Sequence, residues 1–214
     1  MTDDRKSGYL LILGSLGGIV TMAIHPSGRI VPAQVEHLAT VSAIAHSLAM
    51  VSFLAVFLGS LGLTVRLTRR DTQPNRDRLA LAGLVVFGFG CLALLIATAV
   101  SGFIWPSIMR MAVADPAANL PEWTRLLRAT FEFNQAFARI YSVAACFAIT
   151  LWSVSALRHG GLRRGIAVYG CILPPMVALL IAVGHLRLNV HGMAAVVIVH
   201  TIWFVTAAFQ IMRD

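Results

Sequence analysis

A chain of 214 residues that is 58% hydrophobic and only 12% charged, with a mean hydropathy of +0.80, carries more apolar surface than a soluble globule of its size can bury. These values exclude a soluble fold and predict an all-α integral membrane protein. The net charge of +8 does not argue for a nucleic-acid partner, because the basic residues sit in blocks beside apolar runs and form no stripe on a soluble surface.

Six apolar runs predict a single domain over residues 1–214, a bundle of six transmembrane helices, because about 20 residues at 1.5 Å each cross about 30 Å of hydrocarbon. The first span is expected over residues 7–24, with small residues Gly14, Gly17 and Gly18 on a face that allows close approach of a helix or a flat ligand. No small-x-small cleavage site precedes His25-Pro26, so the run reads as a helix and not as a removable leader. His25-Pro26 should end it, since a residue before proline is pushed out of the helical region.

The second span, residues 36–67, is long enough to tilt or to project past a bilayer. Arg66, Arg69, Arg70, Arg76 and Arg78 follow it, and Arg158, Arg163 and Arg164 crowd a later loop, a pattern that places both loops and both termini on the cytoplasmic side of an inner membrane. The third span, residues 79–104, is expected to stop at Trp105-Pro106, with a long loop from 107 to about 125. The fourth, 126–157, carries Glu132, Asn134, Gln135 and Arg139 in its first half. Pro174-Pro175 should kink the fifth, 166–184, and the sixth covers 191–212. Cys91, Cys146 and Cys171 all fall inside spans without a CxxC partner and read as small core residues.

Six of the seven histidines fall in two similar hairpins. His25 precedes His37 and His46, and His185 precedes His191 and His200, with nine residues inside each latter pair. Ile44, Ser47, Val51 and Ser52 also match Ile198, Thr201, Val205 and Thr206, a weak internal repeat. Under the predicted topology all six histidines lie in the outer half of the membrane, with His46 and His200 about 13 Å deeper than the others. Nine residues at about 100° each leave the two histidines of one helix on opposite faces, so one helix cannot aim both at one small site.

Imidazole ligates iron, copper and zinc and serves as an axial ligand of haem. A strongly polar group inside a bilayer is costly and points to function. The expectation is a membrane-embedded haem b protein that moves electrons between a membrane quinol and a periplasmic redox partner. His46 and His200 would be its axial ligands, with Arg29 and Arg139 near the propionates. His25, His37, His185 and His191 form an outer group for a second haem or a metal. Copper or zinc held by that outer group is the alternative, and a proton-coupled transporter or sensor is the third. Glu132 and Arg139, seven residues apart on one helical face, are the candidate catalytic pair. The plainer reading makes them a structural ion pair, interface histidines headgroup contacts, and glycine faces helix packing. His159 reads as a solvated residue in a cytoplasmic loop.

Overall fold

A computed structural model describes residues 3–26, 32–69, 78–114 and 120–213, and all of its regular structure is helical. Arg29, Arg70 and Arg76 lie outside the described residues. The helices are α1 (Asp3–Ile24), α2 (Val35–Arg69), α3 (Arg78–Ala99), α4 (Trp105–Ala114), α5 (Leu120–His159), α6 (Arg164–Ala182) and α7 (Val190–Arg213). A π-helical turn, Val100–Ile104, joins α3 to α4 without a break, so the described residues form six helical rods, each long and apolar enough to cross a membrane.

Trp105-Pro106 therefore does not stop the third rod, which runs on to Ala114 and occupies much of the expected loop. The π turn explains the continuity. Its wider register sends the Trp105 N–H to the Val100 carbonyl, five residues back, and the same register would pair residue 106 with Ser101. Proline has no N–H to give, so the helix passes at the expense of one open carbonyl. The fourth rod starts earlier than expected, at Leu120, and α6 stays helical across Pro174-Pro175.

Each rod packs mainly on neighbours in the order α1, α2, α3, α5, α6, α7, and α7 closes the ring on α1. Glycines make the α1–α2 contact close enough to exclude side chains. A Cβ on Gly14 would stand 2.5 Å from the Ser52 carbonyl oxygen, and one on Gly59 would stand 2.9 Å from the Leu11 nitrogen. The glycine face of α1 is thus mostly a helix seam, although Gly18 faces Val197 with room to spare at 3.6 Å.

At one end, Arg66 donates to the Ile211 carbonyl at 3.1 Å and to Asp4 at 3.3 Å, which ties the end of α2 to the start of α1 and the end of α7. The start of α1 and the end of α7 are therefore on the same end of the bundle. Next to this tie is the aromatic core. Trp152 and Trp203 stack at 5.9 Å, and the Trp152 indole N–H is shared by Thr64 and the Ala80 carbonyl. The buried indoles have acceptors, so their burial is not offset by an unmet donor.

The rods differ in length, and the difference creates the site. α1, α6 and α7 have 22, 19 and 24 residues, whereas α2, the continuous rod Arg78–Ala114 and α5 have 35, 37 and 40. At 1.5 Å per residue the long three reach about 16–32 Å farther, at the end away from Arg66. A Glu36–Arg110 ion pair at 2.9 Å joins two of them there.

Gly14→Val should force the α1–α2 seam apart and lower the melting temperature in detergent, by roughly 1–3 kcal/mol of stability. Gly18→Ala, with its Cβ 3.6 Å from Val197, should melt within error of the parent.

Candidate functional site

The open Ser101 carbonyl is the starting point. Ser42 on α2 donates its hydroxyl to it at 3.0 Å, and Gly102 brings the π turn so near α2 that an added Cβ would lie 2.6 Å from the His46 Cβ. One turn along α2, His46 Nδ1 lies 2.7 Å from the Ser42 carbonyl oxygen. A carbonyl can only accept, so Nδ1 carries the proton and donates, and Nε2 is left with a lone pair. His25 is held in the same way, with Nδ1 donating to the Pro26 carbonyl at 3.0 Å. Neither Nε2 has a hydrogen-bond partner among the described residues. The two rings meet edge to face, their centroids 5.1 Å apart.

Both imidazoles line a cavity of about 490 Å³, set where α1 ends and α7 begins and walled on its far side by the long rods. Its deeper wall is apolar, with Ala49, Phe53, Leu94, Ala97, Ala138 and Val197. Around the histidines the lining turns polar, through Ser42, Thr98, Ser101, Thr130, Asn134, Gln135 and Asn189. Trp105 and His191 also line it, and no charged side chain is among the described lining residues. A small apolar molecule with two or three hydrogen-bonding atoms matches this distribution.

The other expected ligands are dispersed. His200 is buried on α7, its Nε2 3.2 Å from the Cys146 thiol and its ring 6.2 Å from Tyr141, while its Nδ1 has no hydrogen-bond partner among the described residues. It does not line the cavity. Tyr141 also meets Phe53, seven residues beyond His46 on α2, so His200 stands about 10 Å farther along the bundle than His46. The difference arises because α2 projects past α1 whereas α7 does not, an offset invisible in matched spacings. His37 and His185 are exposed and off the cavity wall. The nine-residue argument is visible in His37 and His46, one exposed and one buried.

Glu132 and Arg139 share an exposed face of α5 and make no ion pair with each other. Neither lines the cavity, although their neighbours Asn134 and Gln135 do. Among the described residues no group of three or more His, Cys, Asp or Glu side chains is placed to hold a metal ion. Sequence reasoning passed over Ser42, Ser101 and Trp105. Ser42 was within reach, because it precedes His46 by four residues and so shares its helical face.

Burial lowers the His25 pKa below the ordinary imidazole value, against a smaller opposing effect from the Pro26 carbonyl. Comparisons with protein-family models, with curated proteins and with solved structures return no match. The fold and the cavity therefore carry the functional argument alone.

Ser42→Ala should strand the Ser101 carbonyl and cost about 1–3 kcal/mol by thermal or denaturant melting in detergent. Adding Pro106→Ala restores an N–H for that carbonyl, so the double variant should be more stable than Ser42→Ala alone. For His25 the neutral form is the one favoured in the fold. Its contribution to stability is complete above the ordinary imidazole range and is lost as pH falls through it. The fall in melting temperature between pH 7 and pH 5 should accordingly be smaller in His25→Gln.

Proposed function

We propose that this chain is a multi-pass inner-membrane protein with both termini cytoplasmic, whose outward-facing cavity binds a neutral, quinol-type molecule for redox chemistry. The arginine blocks and the tie at Arg66 support the orientation, because basic loops stay on the cytoplasmic side. One observation carries the ligand reading: two imidazoles, each fixed by a main-chain carbonyl at Nδ1 and with no hydrogen-bond partner at Nε2 among the described residues, line the polar part of a cavity that is apolar farther in.

A quinol hydroxyl donates to such a lone pair; oxidation of the ring releases two protons and two electrons, and the Nε2 atoms of His46 and His25 take one proton each as the electrons leave the ring. The carbonyl at Nδ1 supports this step, because it stabilises the imidazolium that results. The apolar deeper wall takes the ring and the first units of a tail. The electrons pass to a redox partner at the outer face.

A bound metal is the second reading, with haem b iron or copper on the same Nε2 atoms. Its support is the Nδ1–H to carbonyl arrangement, which orients ligating histidines in many metal sites. A haem also brings two propionates, and no cation among the described residues lines this cavity. The hydroxyl and amide side chains around the imidazoles, Ser42, Thr130, Asn134 and Gln135, suit a neutral ligand with hydroxyl groups, and they favour the quinol.

Quinones quench tryptophan, and Trp105 lies on the cavity wall. A short-chain quinone titrated into the purified protein should quench saturably, with the quench diminished in Trp105→Phe and the affinity roughly tenfold weaker in His46→Ala. Linear, non-saturating quenching unaffected by either substitution would remove the quinol reading. A Soret band or stoichiometric copper in the same sample would install the metal reading.

A further inference from the structure

The opposite end of the molecule holds a second concavity, unconnected with the histidines. It lies between the start of α6 and the end of α7, has a volume of about 360 Å³, and is lined by Arg163, Ile166, Thr206, Phe209, Gln210 and Arg213. We propose that it binds a phosphate-bearing anion between the Arg163 and Arg213 guanidiniums. An anionic phospholipid headgroup and free phosphate share that chemistry.

Several observations converge. Neither guanidinium makes an ion pair among the described residues, and no carboxylate is among the described lining. Both side chains are exposed, so solvent screens the repulsion between the like charges. The backbone N–H of Arg163 is bound by the Gln210 side chain at 2.7 Å, which fixes the start of α6 against α7 and keeps the two arginines on one concavity. That helix start has no side-chain cap among the described residues. The Ile166 N–H is taken by the Arg163 carbonyl at 2.9 Å, whereas the N–H groups of Arg164 and Gly165 come before the first backbone bonds of the helix, and a Cβ at Gly165 would meet nothing within 4 Å. Open N–H groups and the helix dipole add to the positive potential there.

The remaining lining distinguishes the site from a simple anion patch. Ile166 and Phe209 give it an apolar wall, and Phe209 is 49% exposed. A headgroup phosphate with its glycerol and first methylenes covers both kinds of surface. Basic pockets between membrane helices on the cytoplasmic side hold acidic lipid headgroups by this combination. Guanidinium suits the task because its planar fork meets phosphate oxygens in pairs. The inference takes from the functional reading only its membrane placement, and needs nothing from the cavity.

The test compares the parent with Arg163→Gln/Arg213→Gln, and with Arg5→Gln, an exposed arginine at the same end but outside the pocket. Lipid retention is read by native mass spectrometry and stability by melting, in phosphatidylglycerol and in pure phosphatidylcholine nanodiscs. A third arm titrates inorganic phosphate in detergent. Preferential retention of phosphatidylglycerol, roughly fivefold weaker for each arginine removed and unchanged in Arg5→Gln, identifies the headgroup. Protection by inorganic phosphate alone, lost in the double variant, identifies free phosphate. Equal behaviour of parent and double variant in every arm overturns the site. If the double variant does not fold, Arg163→Lys/Arg213→Lys replaces it: the charge remains but the fork is lost, and unchanged retention then contradicts guanidinium recognition. A chain that enters neither bilayer would undo the membrane reading separately, and the phosphate arm would then decide.

Discussion

One hydrogen bond, from the Ser42 hydroxyl to the Ser101 carbonyl at 3.0 Å, links the irregular part of the fold to its chemistry. Pro106 leaves that carbonyl open, the π turn aims it at α2, and Ser42 satisfies it. The same serine offers its own carbonyl to His46. A helix defect thus fixes an imidazole, and the defect persists because a regular α-helical register would remove the acceptor that holds α2 in place. Strain and unusual turns gather at functional sites for this reason: they are maintained only where surrounding contacts determine them.

The two ends of the molecule are built on opposite principles. At the Arg66 end the rods finish together and are tied by a cation, two stacked indoles and a close glycine seam. At the histidine end three rods outrun the other three, and the unfilled space beside them becomes the cavity. Packing is spent where stability is needed and withheld where a ligand must enter. The short rods match about 30 Å of hydrocarbon, which sets the cavity near a membrane boundary in the proposed arrangement.

Much of the architecture was legible from residues alone. The number of rods follows from apolar runs of sufficient length, and His25-Pro26 ends α1 through a local steric rule. The Trp105-Pro106 stop failed because proline's cost depends on who supplies the missing hydrogen bond, and Ser42 lies 59 residues before Ser101. Within the site, helical period separated His37 from His46. It did not supply the relative shift between α2 and α7, which sets His200 beneath the cavity against Cys146 and Tyr141. Such shifts arise from glycine seams and rod lengths, and a pattern of matched spacings on two helices contains neither.

The central claim is that His25 and His46 both carry their proton on Nδ1 and face the cavity with Nε2 as a base. Nitrogen-15 NMR of histidine-labelled protein in bilayers reads this directly, with the two residues assigned through His25→Gln and His46→Gln. At neutral pH the account predicts that both signals show a protonated Nδ1 and an unprotonated Nε2. Nε2-protonated imidazoles at these two positions would contradict it.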